Sequence, residues 1–437
     1  MNALRISKPL LAGMVVLLLM SCVSGGSREH HTAGKGEKAR QMETHPIVLV
    51  HGFLGFDAET IIKFPYWGGT VDLEAELRDE GFPVYTAAVG PISSNWDRAC
   101  ELYAFIRGGR VDYGASHADR YGHARFGREF PGIFPQAGEI PSGAEEIGRV
   151  HLIGHSMGGQ TARLLVELLE NGDPEERAYQ QEDRSPLFDG GHSLVKSVTT
   201  ISTPHDGTTL VYDFERMGFL EKIMFRLLAT MSLNREEPAL DLMIEHWKPV
   251  KNTDESFESF VRRAIRDELW HNTEDFCFYD LSPEGAAELN RRVYASPEVY
   301  FFSWSTSRTE AGEEKGHHTP LPGMNLPLIG NAKYMGSLEE LPSICGADPS
   351  LWWESDGIVN TCSMDGPTLD SADRIVPSSM DIDTPEKGVW NFMGTLKPLD
   401  HWQIHIVPPI GGHAPPGYTT LTDFYLQWCR YLQNLPE

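Results

Sequence analysis

Basic residues are scarce in this chain of 437 residues. Lysine and arginine together number 37 against 62 aspartate and glutamate residues, so the formal net charge is −25 at pH 7. A surplus of negative charge repels the phosphate backbone of nucleic acids and the surface of anionic membranes. The composition therefore argues against a nucleic-acid partner and against electrostatic docking on anionic lipid, and it suits a body that faces neutral substrates.

Long apolar runs are also lacking. The run from Leu10 to Met20 is shorter than the roughly 20 residues that span a bilayer. It follows Arg5 and Lys8 and precedes Ser21-Cys22, an arrangement typical of an export signal, which we predict over residues 1–22. Residues 23–44 show no apolar period and predict a flexible linker. The folded domain is expected over residues 45–437.

The residues around Cys22 indicate how the exported chain is held. Leu19-Met20-Ser21-Cys22 resembles a bacterial lipoprotein box, in which Cys22 is lipidated and anchors the protein in the cell envelope membrane. The alternative is an ordinary signal peptide that is cut nearby and releases a secreted protein. Five other cysteines remain, so at least one thiol is free. Cys345 and Cys362 are able to pair in an oxidising compartment, and five buried thiols are the alternative.

The chain has no internal repeat and is organised around one motif. An apolar stretch enters Gly154-His155-Ser156-Met157-Gly158, and a pattern of helical spacing follows. A Gly-x-Ser-x-Gly turn between a strand and a helix is typical of the nucleophile elbow of α/β-hydrolases, which exposes the serine at the top of the sheet. Ser156 is therefore the predicted nucleophile, and the N–H of Met157 is a predicted oxyanion donor. The alternative is a fortuitous glycine-rich turn.

The order of the other segments predicts an α/β fold. Apolar stretches alternate with helical patterns, which is typical of a mostly parallel central sheet with helices on both faces. The predicted strands are His45–Phe53, Val84–Ala88, Leu194–Ile201, Val299–Trp304 and, last, Trp402–Val407, and the predicted helices include Leu73–Asp79, Thr161–Leu169 and Leu421–Leu432. Large apolar side chains between Phe214 and Met231 fall on one helical stripe, which predicts either a core helix or a mobile lid.

The partners of Ser156 should follow it as an acid and then a histidine. His401, His405 and His413 qualify by position, and His401 is favoured because it enters the last predicted strand on a loop. Among many aspartates between Ser156 and His401, Asp356 stands out because a glycine turn follows it. The N–H of Phe53, after the first strand, is the predicted second oxyanion donor.

Many segments of the folded domain resemble the large secreted lipases of thermophilic Bacillus and Geobacillus and of staphylococci. The similar segments, from about His45 to the end, include HPIVLVHGF, YWGG, VGPISSNWDRACELY, VDYGASHADRYGHARFG, GHSMGGQTARLLVELLENG, SVTTISTPHDGTTLV, DGIVNT and KGVWNFMGT. The resemblance implies an α/β-hydrolase fold with a helical lid and a zinc-binding insertion. It also implies hydrolysis of triacylglycerols and other esters, with phospholipid as a further substrate, and it supports Asp356 and His401 as the acid and the base.

The same resemblance implies a zinc site away from the catalytic centre. Its ligands fall on Asp97, His117 and His123, and the fourth falls on Glu245, where those lipases have an aspartate. Zinc prefers such nitrogen and carboxylate ligands, although the spacing alone favours surface histidines without a metal. The calcium site of those lipases has the neutral residues Gln403 and Pro408 here. Calcium prefers charged oxygen ligands, so we expect none at that place.

Three hypotheses for the function remain at this stage. The first is an exported serine ester hydrolase, most simply a triacylglycerol lipase. The second is a phospholipase or acyltransferase, since either would use the same triad. The third is a non-catalytic surface lipoprotein that binds lipid. The sequence contains no signal for an oligomeric state.

Overall fold

The structure, a computed structural model, describes residues 45–55, 65–138, 148–180, 182–213, 243, 245–247, 274–313, 315–381, 384–407 and 414–437. The predicted signal peptide, the predicted linker and the apolar stripe from Phe214 to Met231 lie outside these residues. Pro408 and His413 lie outside them as well. Among the helices that the structure describes, none is long and apolar enough to cross a membrane.

The described chain contains both strands and helices along its whole length. The strands are β1 (Ile47–Val50), β2 (Gly68–Gly69), β3 (Val84–Thr86), β4 (Gly109–Asp112), β5 (Phe126–Phe130), β6 (Val150–His155), β7 (Val195–Ile201), β8 (Tyr300–Thr306), β9 (Thr309–Ala311), β10 (His318–Pro320), β11 (Ile375–Pro377), β12 (Trp390–Leu396) and β13 (Ile406–Val407). The helices are α1 (Leu73–Asp79), α2 (Asn95–Arg107), α3 (Ala115–Tyr121), α4 (Met157–Asn171), α5 (Pro174–Ala178), α6 (Cys277–Asp280), α7 (Pro283–Arg292), α8 (Leu326–Met335) and α9 (Leu421–Gln433).

Seven of these strands form the central sheet in the order β11-β12-β8-β7-β6-β1-β3. Each strand runs parallel to its neighbours, for example with Leu49 of β1 beside Ile153 of β6. The carboxyl ends of all seven strands therefore lie at one edge of the sheet, where open α/β sheets place their sites. The strand β6, which leads into Ser156, lies near the middle of the sheet.

Alternate residues of the strands face two separate hydrophobic cores. Val48 and Val50 of β1 pack on one side with residues of α2 and α4. Ile47 and Leu49 of the same strand pack on the other side with residues of α1 and α9. Because successive side chains of a strand point to opposite faces, this alternation confirms a sheet covered by helices on both faces.

The last predicted strand is wrong. Residues 401–405 form turns, and only Ile406–Val407 are extended, pairing with Gly68–Gly69 outside the central sheet. The carboxylate of Asp400 accepts hydrogen bonds from the backbone N–H groups of Trp402 and Gln403. A side chain that binds nearby backbone groups competes with a strand ladder, and the last strand of the central sheet along the chain is instead β12. The cysteines Cys345 and Cys362 both carry free thiols.

Candidate active site

Ser156 occupies a strained turn between β6 and α4. Its backbone dihedrals are φ 56° and ψ −131°, a region that residues other than glycine rarely adopt. The Ser156 N–H donates to Ile201 O at 2.9 Å, and the Thr203 hydroxyl donates to Ser156 O at 2.9 Å. The neighbouring strand β7 and the residues after it therefore hold the turn in this conformation.

Two glycines let the chain pack against this turn. A Cβ atom on Gly158 would lie 2.2 Å from Val50 O, and one on Gly52 would lie 2.7 Å from the Cβ of Ser156. Both distances are far below van der Waals contact, so any side chain there would displace the backbone. The loop after β1 therefore passes directly against the serine, with Phe53 following Gly52.

Asp356 and His401 form a buried pair. The His401 Nδ1–H donates to Asp356 Oδ2 at 2.7 Å, and the His401 backbone N–H donates to Asp356 O at 3.1 Å. The other carboxylate oxygen of Asp356 accepts from the N–H groups of Ile358 and Val359 at 3.0 and 2.9 Å. The Thr306 hydroxyl donates to Asp356 Oδ2 at 2.7 Å. These donors fix the carboxylate in position to hold the imidazole through its Nδ1.

The residue before the serine packs on the histidine of this pair. The ring centroids of His155 and His401 lie 4.7 Å apart, and His155 Nε2 lies 3.1 Å from His401 O. His405, the other described candidate for the base, is buried and binds the backbone O of Tyr66 at 2.9 Å. Burial lowers the pKa of His405 to about 3. His401 is thus the histidine that the structure brings to both Asp356 and the serine turn.

The predicted oxyanion donors belong to the residue after Ser156 and to the loop that packs against it. Met157 is the first residue of α4 and is fully buried, and the N–H groups of a first helical turn have no acceptor within their helix. Phe53 follows Gly52 on the loop that packs against the serine. The helix dipole of α4 favours negative charge at the same place.

We call the segment His51–Phe53 the oxyanion loop, because it carries the predicted donor Phe53. Arg98 binds this loop. Its guanidinium is buried and donates to His51 O, to Gly90 O at 2.6 Å and to the Thr161 hydroxyl of α4 at 2.9 Å. Burial lowers the pKa of Arg98 to about 10, so it remains charged at neutral pH. One side chain therefore joins the oxyanion loop to the helix that follows Ser156.

A second group of titratable residues lies away from Ser156. Asp97, His117, His123 and Asp275 each offer one ligand atom, and these atoms all lie within 4.8 Å of one another. His117 Nε2 lies 3.6 Å from Asp97 Oδ1 and 3.2 Å from Asp275 Oδ1, and His123 Nε2 lies 3.4 Å from Asp275 Oδ2. We call these four residues the metal cluster, because such a buried group is able to hold a metal ion.

The chemistry of the metal cluster fits a metal. In the described chain, Oδ1 of Asp97 and Nε2 of His117 and of His123 are buried without a hydrogen bond. His123 donates from Nδ1 to Ala124 O at 2.9 Å, which leaves its Nε2 as a lone-pair donor. Burial alone would raise the pKa of Asp97, but the nearby His246 and His117 lower it well below its usual range. The carboxylate is therefore ionised, as a metal ligand must be.

One member of the metal cluster was not among the predicted ligands. Asp275 completes the group, whereas the side chain of Glu245 lies outside what the structure describes. The residue after it, His246, donates from Nε2 to Asp97 Oδ2 at 2.8 Å and so orients the carboxylate. The segment around Glu245 therefore contacts the cluster through the neighbouring histidine.

Comparison with known proteins identifies the family. Residues 43–409 match the family described as "Lipase-like, C-terminal domain". The chain belongs to this family. A lipase from Staphylococcus hyicus is 36% identical over 401 residues, which cover 90% of this chain and 58% of that protein. A lipase from Staphylococcus epidermidis is 35% identical over 380 residues, which cover 84% of this chain and 51% of that protein. The chain spans about half the length of these relatives.

Solved structures of similar chains confirm the α/β-hydrolase fold of this lipase-like chain. EstA from Clostridium botulinum superposes with a TM-score of 0.78 at 39% identity, covering 91% of this chain and 89% of that one. The Staphylococcus hyicus lipase structure superposes with a TM-score of 0.75 at 34% identity, covering 92% of this chain and 98% of that one. The predicted resemblance to staphylococcal lipases is therefore confirmed.

Gln403, where the related lipases were expected to have an acidic residue, binds an arginine in this lipase-like chain. The buried Arg308 guanidinium donates to Gln403 Oε1 at 2.6 Å, to Pro398 O at 2.8 Å and to Pro322 O at 2.7 Å. The Arg308 guanidinium thus links Pro398 and Gln403, on either side of His401, to Pro322. Sequence reasoning missed Arg308, because nothing in its local pattern shows which carbonyls surround it.

Proposed function

We propose that this protein is an exported carboxylic ester hydrolase with triacylglycerols as its main substrate class, and that Ser156, His401 and Asp356 form its catalytic triad. The observation that carries the proposal is the 2.7 Å contact between His401 and Asp356 beside the strained turn of Ser156. An acid that orients a histidine next to a serine is the arrangement that activates the serine hydroxyl. Membership of the lipase-like family supports esters of fatty acids as substrates.

In the proposed reaction, the Ser156 oxygen attacks the ester carbonyl while Nε2 of His401 takes the proton of the Ser156 hydroxyl. Asp356 keeps the imidazole in the tautomer that carries the proton on Nδ1 and stabilises its charged form. The N–H groups of Phe53 and Met157 donate to the oxyanion of the tetrahedral intermediate. His401 then returns the proton to the leaving alcohol, and a water activated in the same way releases the fatty acid from Ser156.

A paired experiment with substrate and probe tests this function. Purified protein and a Ser156→Ala variant are incubated with p-nitrophenyl esters from short to long chains and with a fluorophosphonate probe. We expect the native protein to hydrolyse the esters and to carry one probe per chain on Ser156, while the variant does neither. A native protein that binds lipid but takes up no probe would instead establish the non-catalytic lipoprotein. Transfer of the acyl group to added alcohols in preference to water would indicate an acyltransferase.

The metal cluster extends the proposal to a structural zinc ion. Asp97, His117, His123 and Asp275 supply two carboxylates and two imidazoles, a ligand set and number that zinc prefers. A bound zinc ion would neutralise the buried carboxylates and link α2 to α3 and to Asp275. A cavity of about 320 Å³ reaches His117 and Asp275 and provides an entry path. The cluster does not include the triad, so its role is to stabilise the fold.

Substitution of the two candidate fourth ligands separates their roles. We expect Asp275→Ala to lower the zinc content from about one ion per chain to a small fraction, because three protein ligands bind zinc much more weakly than a closed set of four. Glu245→Ala should keep its zinc. The measurement is metal analysis of dialysed protein, followed by thermal unfolding with and without added zinc. Loss of zinc in Glu245→Ala alone would assign the fourth position to Glu245.

A further inference from the structure

The YWGG segment that begins at Tyr66 is part of neither the triad nor the metal cluster. Tyr66 is nevertheless buried beside the active site, and its hydroxyl lies between two catalytic loops. The Gly52 N–H donates to this hydroxyl at 3.1 Å, and the hydroxyl lies 2.6 Å from Nδ1 of His155. The other nitrogen of His155 lies 3.1 Å from His401 O. One chain of hydrogen bonds thus joins the oxyanion loop, the serine turn and the histidine loop.

The two backbone groups at the ends of this series of hydrogen bonds, His401 O and the Gly52 N–H, fix the direction of each bond. A backbone carbonyl only accepts, so Nε2 of His155 must carry a proton to bond with His401 O. Burial and the neighbouring His405 and His401 hold the pKa of His155 well below its usual range, so the ring carries a single proton. Its Nδ1 is therefore an acceptor and the Tyr66 hydroxyl is the donor. A lone pair of that hydroxyl accepts the hydrogen bond from the Gly52 N–H, which only donates.

The main chain around Tyr66 binds the same histidine loop. The Tyr66 ring stacks on His405 with centroids 4.3 Å apart and an angle of 15° between the planes. His405 Nδ1 donates to Tyr66 O at 2.9 Å, and the Gly68 N–H donates to His405 O at 2.7 Å. The strand β2 then pairs with β13. These contacts fix Tyr66 relative to the loop of His401, and the Tyr66 hydroxyl also binds Gly52.

We propose that Tyr66 and His155 are positioning residues that set the distance between the oxyanion loop and the catalytic histidine. The inference rests on the proposed function, because it assigns a task to residues around the proposed triad. Phe53 follows Gly52 directly, so a shift of the Gly52 N–H moves the oxyanion donor with it. Oxyanion donors act mainly in the transition state. A loss of position should therefore appear in kcat rather than in KM.

The first test is kinetic and uses two buried tyrosines. We expect Tyr66→Phe to lower kcat for p-nitrophenyl butyrate by about 10–100-fold, less than the roughly 100–1,000-fold cost of deleting an oxyanion donor outright, with KM changed less than about threefold. The control is Tyr425→Phe, which removes another buried hydroxyl hydrogen bond, 2.9 Å long to Ile404 O, without touching Gly52 or His155. Its kcat should stay within about threefold of the native value. Equal kcat in both variants, or a rise in KM alone for Tyr66→Phe, would overturn the proposal.

The second test does not depend on activity or on the folding of Tyr66→Phe. Nitrogen NMR of native protein labelled at histidine reports the tautomer of each ring, and loss of one pair of ring-nitrogen signals in His155→Gln assigns His155. We expect His155 to be neutral at pH 7 with its proton on Nε2. A proton on Nδ1 would reverse the hydrogen bond between Tyr66 and His155 and would overturn the inference. If instead Ser156→Ala keeps full hydrolysis, the proposed function fails. The NMR result still decides the direction of the hydrogen bond between Tyr66 and His155.

Discussion

Replacing Asp356 with asparagine should lower kcat for ester hydrolysis by about 10⁴-fold while the protein remains folded. The carboxylate accepts the Nδ1–H of His401 at 2.7 Å. An amide of the same shape is able to turn its NH₂ group toward Nδ1, which then favours the tautomer with the proton on Nε2. That tautomer has no lone pair for the Ser156 proton. The measurement is kcat at saturating short-chain ester, with circular dichroism to verify the fold.

The adjacent acid provides the control for this prediction. Asp400 precedes His401, and its carboxylate accepts the backbone N–H of Asn325 at 2.7 Å and that of Trp402 at 3.1 Å. Its described hydrogen bonds are to Asn325 and to the loop backbone rather than to the imidazole of His401. We expect Asp400→Asn to lower the melting temperature and to keep kcat within about tenfold of the native value, since a side chain that only shapes the loop acts indirectly. If the two variants lose activity equally, Asp356 has no special role as the acid.

Replacing Arg98 with methionine should destabilise the fold by about 3–5 kcal/mol and lower kcat as well. Two backbone carbonyls and the Thr161 hydroxyl would lose their buried donor, and each unsatisfied buried group costs about 1–3 kcal/mol. The carbonyl of His51 would no longer be held, so the oxyanion loop would move relative to Ser156. We expect kcat to fall by about 10–100-fold, in proportion to the displacement of one oxyanion donor. Denaturant unfolding and steady-state kinetics at low temperature measure the two effects.

A second buried arginine separates the two effects. Arg163 lies on α4 and, like Arg98 on α2, is buried, and burial lowers the pKa of each to about 10. It donates to Asn290 at 2.8 Å and lies 3.3 Å from Nδ1 of His205, away from the oxyanion loop. Arg163→Met should therefore lose similar stability, about 2–4 kcal/mol, and keep its kcat. A fall in kcat that simply follows stability in both variants would remove the specific role of Arg98.

The parts of the site that the sequence predicted are those with a local signature. The turn around Ser156 needs small residues on either side of the serine and a strand and a helix of recognisable pattern, so it is visible within about fifteen residues. The parallel sheet follows from alternating segments. His401 and Asp356 needed the order of the triad and the family resemblance, because an acid on a loop carries no signature of its own.

The parts that escaped prediction depend on contacts between distant segments. Trp402–Val407 has the alternation of a strand, but the Asp400 carboxylate binds the backbone of the next residues and turns the chain. Asp275 joins the metal cluster from a segment far in sequence from Asp97. Arg98 stands directly after Asp97 in a segment that the family resemblance covered. The sequence analysis did not single it out, because its acceptors on three other segments are set only by the tertiary fold.

The two ends of the folded domain meet at one corner. The His45 N–H donates to the Gln433 side chain at 3.0 Å, the Gln433 amide donates back to His45 O at 2.7 Å, and Glu437 pairs with Lys196. His45 and Lys196 stand at the beginnings of β1 and β7, whereas Ser156 follows the end of β6. An attachment made at either end, whether a lipid, a fusion partner or an immobilising bead, therefore joins the domain at the edge of the sheet opposite Ser156. The edge of the sheet that carries Ser156 is then left free of the attachment.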